Sequence, residues 1–184
     1  MSELTMKRVL QSIARTCLVL AALGLAGCAT TQFNSAPSPH PDAQALWCVL
    51  PPSNNTSTPY AGERVQQQLA ALLGAQGLTH VLLAPAPDAS GPLPIDNGAA
   101  SEAPALEWAR HHEARYALEG SVDEWDYKVG LDGQPAVGIT LRLLDLESGQ
   151  IIWSGAASGS GGSREGLAAL SERTLAGLLK RLLT

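Results

Sequence analysis

The chain has 184 residues, a formal charge of −5 at pH 7 and 45% hydrophobic residues. That length suits one domain with its own core. The acidic balance excludes the basic stripe that nucleic-acid binding requires, so no nucleic-acid partner is expected.

Lys7, Arg8 and Arg15 put positive charge ahead of an uncharged apolar run over residues 17–26. A run of about ten residues matches a signal-peptide core and falls short of the ~20 that a spanning helix needs. Leu25-Ala26-Gly27-Cys28 follows directly and resembles the bacterial lipobox, whose small residues fit the signal peptidase and whose cysteine takes lipid. Two or more acyl chains make such an anchor stable, and Ala29 after the cysteine implies sorting to the outer membrane. Residues 1–27 therefore read as the signal peptide, and residues 28–45 as the lipidated Cys28 with a polar, proline-containing flexible tether. Residues 46–184 read as a periplasmic domain, lipid-anchored at the periplasmic face of the outer membrane. Cleavage leaves 157 residues; it removes three of the 12 basic and one of the 17 acidic residues, so the mature charge is −7. Cys48 is then the one cysteine besides Cys28, which leaves no intrachain disulfide, and its apolar neighbours predict a buried thiol.

Within the domain, Leu46-Trp47-Cys48-Val49-Leu50 predicts a strand stopped by Pro51-Pro52. Val65, Leu69, Leu72 and Leu73 recur at helical spacing, with Gly77 as the stop. Val81-Leu82-Leu83 predicts a second strand, and the five prolines of residues 84–104 predict a long loop. A short helix over about residues 105–112 leads into an alternating strand over residues 116–129. Its period places Tyr116, Leu118 and Val122 on one face and Glu119, Asp123, Trp125 and Tyr127 on the other. Val137, Ile139, Leu141 and Leu143 alternate in the next strand, and Glu147-Ser148-Gly149-Gln150 turns into a strand over residues 151–158 with Trp153 facing the core. A Gly/Ser stretch over residues 159–163 reads as a flexible loop capping a last helix, with Ser163 as the cap and Leu167, Leu170, Leu175, Leu178, Leu179 and Leu182 as the apolar stripe. The order βαβαβββα argues for a single α+β domain, with a mixed β-sheet, hairpin-connected C-terminal strands and helices packed against it.

Enzymatic chemistry is hard to assemble. The Gly/Ser stretch lacks both a Gly-x-Gly-x-x-Gly register and a Lys-Ser/Thr pair. No Gly-x-Ser-x-Gly elbow is present. His40, His80, His111 and His112 lack metal-ligand spacing, since adjacent helical residues point to different sides. The expectation is a protein that is not an enzyme and has no cofactor and no metal.

The segment over residues 119–132 stands out. Glu119, Asp123, Glu124, Asp126 and Asp132 face only Lys128, a local charge of −4. Acidic residues are poor strand formers, so their clustering works against local propensity. With Trp125 and Tyr127 among them, they suit a cationic sugar, because carboxylates attract amines and rings stack on a pyranose.

The run from Glu119 through Asp123-Glu124-Trp125-Asp126-Tyr127 and Asp132 to Gly138 resembles the PelC family, the outer-membrane lipoproteins of Pel exopolysaccharide export. So do the Leu144–Gly155 hairpin, Ser163-Arg164-Glu165-Gly166-Leu167, Leu50-Pro51-Pro52-Ser53-Asn54-Asn55-Thr56 and Ala61-Gly62-Glu63-Arg64. The resemblance implies a homo-oligomeric ring, a dodecamer, under the outer membrane, with an acidic pore and an aromatic girdle against the lipid. It implies a cationic amino-sugar polymer as cargo and the export porin PelB as partner. Carried over by motif, Asp123, Glu124, Asp126 and Asp132 form the polymer-guiding surface, with Asp132 at the tip of its turn as the foremost pore residue. The family places an aromatic in the loop before the last helix, where this chain has only Gly159 to Ser163; Trp125, Tyr127 or the lipid itself then makes the membrane or sugar contact. The alternative is a monomeric periplasmic lipoprotein that binds and activates a synthase, as peptidoglycan-synthase activators with similar sheets do.

Overall fold

The computed structural model describes residues 30–86, 98–128, 133–162 and 164–184. They form an α+β domain around one seven-stranded mixed sheet. In chain order the elements are β1 (Thr30–Ser35), β2 (Trp47–Val49), β3 (Ser53–Asn54), α1 (Ala61–Ala75), β4 (Val81–Leu83), α2 (Gly98–His111), β5 (Tyr116–Tyr127), β6 (Pro135–Asp145), β7 (Gln150–Ser160) and α3 (Leu167–Leu183). The sheet order is β1-β7-β6-β5-β2-β4, and β3 extends the edge of β5 beyond β2.

One half of the sheet is parallel and the other antiparallel. β4, β2 and β5 run the same way, whereas β5, β6, β7 and β1 alternate in direction. The β2–α1–β4 crossover moves outward and β4–α2–β5 moves back across β2. Crossovers of one hand in opposite directions place their helices on opposite faces. Accordingly α1 and α3 bury the inner face, where Val65, Leu69, Leu73, Leu175 and Leu178 meet Leu118, Val122, Ile139, Leu141 and Trp153. On the outer face α2 covers the parallel half, packing Ala105 and Ala109 on Cys48, Leu50, Ala117 and Leu144. Buried Gln66 clamps two parallel strands by donating to the carbonyls of Val49 at 3.0 Å and Ala84 at 2.8 Å.

Three local readings change. Part of the segment expected as a flexible tether is strand β1, which pairs antiparallel with β7 from Thr30↔Ser160 to Ser35↔Gly155. Its backbone supplies the missing edge of β7, and Phe33 packs into the space that Gly177 leaves on α3, where a Cβ would stand 2.3 Å from the ring. The rest of the segment is tied down too: the indole N–H groups of Trp153 and Trp47 donate to Ala36 at 3.1 Å and Asp42 at 3.0 Å, and the Ser38 hydroxyl to Leu182 at 2.6 Å. Second, α2 starts at Gly98, inside the segment expected as loop, with Pro104 within the helix. Third, Gly159 and Ser160 belong to β7 rather than to a loop. Gly166 is the N-cap of α3 and offers no side-chain cap, and Ser163 lies outside the described residues.

Cys48 and Trp153 are fully buried, as their apolar neighbours predict. Burial pushes the Cys48 thiol up to about 11, against a smaller lowering by the backbone at Ala84. Among the described residues, no helix is long and apolar enough to cross a membrane.

Candidate functional site

Antiparallel hairpins bring no helix with them, so among the described residues no helix covers the outer face of β1, β7, β6 and the end of β5. Gln32 and Asn34 of β1, Ala156 and Ser158 of β7, Gly138 and Thr140 of β6, and Asp123 and Glu124 of β5 line a shallow, open groove of about 690 Å³ there.

A β-bulge builds its acidic side. The β5–β6 register runs from Val122↔Ile139 to Glu124↔Gly138, leaving Asp123 as the extra residue. A bulge reverses the alternation beyond it. Glu124 and Asp126 therefore join Asp123 on the outer face, and Trp125 turns inward. The expected face of Asp123, Trp125 and Tyr127 is corrected: Trp125 is 4% exposed and belongs to the inner core, so its ring is not presented to sugar or lipid. Tyr127, two residues on, shares the face of Trp125 and is 47% exposed because β5 ends there.

Asp123 is held by neighbours from two elements. It accepts from Asn55 Nδ2 at 2.8 Å and from Thr140 Oγ1 at 3.0 Å. These bonds use one lone pair on each oxygen and leave the charge at the surface. Gly138 makes room for the bulge, since a Cβ there would lie 3.2 Å from Glu124 Cβ and 3.3 Å from its nitrogen. Asp126 accepts from the Tyr127 amide at 2.7 Å. Glu119 stands apart from this group: it is buried and paired with Arg142 at 2.8 Å, which cancels its charge locally. Asp132 and Cys28 lie outside the described residues.

At the same end of the sheet, the segment before α3 is fastened rather than loose. The Gly161 amide donates to Pro135 O at 2.9 Å, and Arg173 forks onto Glu165, with Nη2 to Oε2 at 3.1 Å. That guanidinium holds the Glu165 carboxyl below the usual carboxylate range. Among the described residues, no three His, Cys, Asp or Glu side chains converge as a metal site would require. Sequence reasoning missed Gln32 and Asn34, because Thr-Thr-Gln-Phe-Asn-Ser has one apolar residue and shows no strand period.

This arrangement has close relatives. The chain is 34% identical to a PelC dodecamer subunit from Paraburkholderia phytofirmans, with a TM-score of 0.71, over 84% of this chain and 99% of that one. The chain belongs to the PelC family. A single-substitution variant of the same PelC dodecamer matches at 33% identity and a TM-score of 0.73 over the same shares of both chains. Lipoprotein GNA1162 from Neisseria meningitidis shares the fold, at 19% identity and a TM-score of 0.52 over 74% of this chain and 96% of that one. A family model described as peptidoglycan-synthase activator LpoB matches residues 95–158. No curated protein matches the chain.

Proposed function

We propose that this PelC family member is a noncatalytic, lipid-anchored subunit of an exopolysaccharide export complex. Lipid on Cys28 holds it to the periplasmic face of the outer membrane. Copies assemble into a ring whose acidic surface, built from Asp123, Glu124, Asp126 and Asp132, guides a cationic amino-sugar polymer to the export porin. The observation that carries the reading is the union of family and charge. Relatives spanning nearly the whole domain are dodecamers, and here the bulge gathers Asp123, Glu124 and Asp126 on a sheet face that none of the described helices covers. An acidic wall concentrates amines without binding them at one point, which suits a polymer that must keep moving.

Light scattering on residues 29–184, with Cys28 omitted, tests the assembly. A discrete oligomer near the twelve subunits of the relatives supports the ring. A strict monomer at high concentration, persisting after lipid and detergent are restored, removes it. The match of residues 95–158 to a synthase-activator model favours a second reading, a monomeric activator that binds a periplasmic synthase. That reading predicts a 1:1 complex and no ring.

A further inference from the structure

The antiparallel registers lay the open outer face out in rows that cross the strands. One row runs Gln32, Ser158, Gly138, Glu124, and the next runs Asn34, Ala156, Thr140, Ser121. The carboxylate of the second row is Asp123, which the bulge sets against the Thr140 hydroxyl at 3.0 Å. Each row therefore has an amide at its β1 end and a carboxylate at its β5 end, with nothing larger than threonine between them. The two ends are three strand spacings apart, about 14 Å, and the rows are two residues apart, about 7 Å. That floor is wider than one sugar ring.

The amide wall is set in place by the core beneath it. β1 alternates, with Gln32 and Asn34 exposed and Phe33 turned inward between them, and Phe33 seated against Gly177 holds that register. Among the described residues neither amide side chain makes a hydrogen bond. Asparagine is depleted in strands, so Asn34 stands against the local propensity of β1. The two walls also differ in what they can hold. A carboxylate only accepts, and its bond to an ammonium group is strengthened by charge. An amide side chain both donates and accepts. An acetamido group offers one N–H and one carbonyl, a pair that an amide matches; a carboxylate takes the N–H and opposes the carbonyl oxygen.

We propose that Gln32 and Asn34 are specificity residues, which make the groove a site for an oligosaccharide mixing acetamido and amino sugars. Acetamido groups bond the β1 amides while ammonium groups on neighbouring sugars face Asp123 and Glu124. The acidic wall supplies attraction that salt screens, and the amide wall supplies neutral hydrogen bonds that salt leaves alone. The class of ligand, a sugar polymer bearing amines, rests on the reading above; the selectivity for its acetyl groups belongs to β1.

The test is calorimetric titration of the full-length protein in detergent with two glucosamine oligosaccharides of equal length, one fully de-N-acetylated and one partly N-acetylated, at low and high salt. Gln32→Ala with Asn34→Ala removes two neutral hydrogen bonds, so binding of the partly acetylated ligand should weaken about tenfold at both salts, and of the de-N-acetylated ligand less than about twofold. Gln32→Glu with Asn34→Asp keeps the shape of the wall and should turn the preference toward the de-N-acetylated ligand, most strongly at low salt. Equal losses for both ligands in the alanine pair, no loss for either, or a preference unmoved by the acidic pair overturns the proposal. A change of oligomer mass in these variants with sugar binding untouched would put a second copy on the groove and overturn it as well. If the wild-type protein binds neither oligosaccharide, the amine-polymer reading itself falls, so the two failures are distinguishable.

Discussion

The covered and open halves of the outer sheet face share strand β5 and differ in almost every other respect. Under α2 the strands present Cys48, Ala117 and Leu144, an apolar surface sealed by Ala105 and Ala109. From the bulge onward, β5 presents Asp123, Glu124 and Asp126 beside Thr140, Ser158 and Asn34, with none of the described helices over them. Connection topology explains the contrast. Parallel strands need a crossover and acquire a helix with it, whereas hairpins do not. A sheet whose later strands are joined by hairpins keeps one face open, and the bulge then decides which residues occupy that face.

The largest expected effect tests the bulge directly. Trp125 is 4% exposed in the inner core, so Trp125→Ala should cost about 3–5 kcal/mol in denaturant unfolding. A cost below about 1 kcal/mol would put the ring on the surface instead. Gly177→Ala comes next. Its Cβ would stand 2.3 Å from the Phe33 ring, so β1 must shift, at a cost of about 1–3 kcal/mol. Hydrogen exchange should quicken first at the β1 and β7 amides that bond each other, while the β5–β6 ladder stays protected.

Cys48 separates the two halves by pH. Its thiol is pushed from its ordinary 9.0 up to about 11. The unfolded chain therefore loses this proton near 9.0 while the folded chain keeps it, so the stabilisation present below pH 9.0 declines as pH rises through about 11. Unfolding measured in parallel on wild type and Cys48→Ala should show a steeper alkaline fall for wild type; equal slopes would contradict burial under α2. The smallest stability effect belongs to Asp123→Asn, below about 1 kcal/mol, since the side chain is exposed and Asn can still accept at one oxygen.

The hydrophobic patterns made most of the domain legible. The α1 stripe, the β6 alternation and the α3 leucines all sit where their spacing put them, because each buries against the inner face. Three things escaped. Strand β1 has no apolar period and owes its place to the free edge of β7 and the Phe33–Gly177 contact, both long-range. The bulge at Asp123 interrupts a period that otherwise predicts Trp125 outward; nothing local in Val122-Asp123-Glu124-Trp125 marks the extra residue. The place of the Thr58–Tyr60 segment carries no sequence pattern and is set by the long-range bond from the Thr58 hydroxyl to Trp125 O. The acidic residues themselves were visible as a group, and the fold changed which of them share a surface: Glu119 is neutralised by Arg142, while Glu124 and Asp126 line up with Asp123.

The most direct measurement compares two charge removals of equal size. Binding of a glucosamine-rich cationic oligosaccharide would be titrated against salt for Asp123→Asn/Glu124→Gln/Asp126→Asn and for Glu107→Gln/Glu113→Gln/Glu172→Gln, a set of exposed acids outside the groove. An acidic wall on the open face predicts a loss of about tenfold at low salt for the first set, shrinking as salt rises, and less than about twofold for the second. Equal losses in both would show that only net charge matters and would contradict a guiding surface on the open half of the sheet.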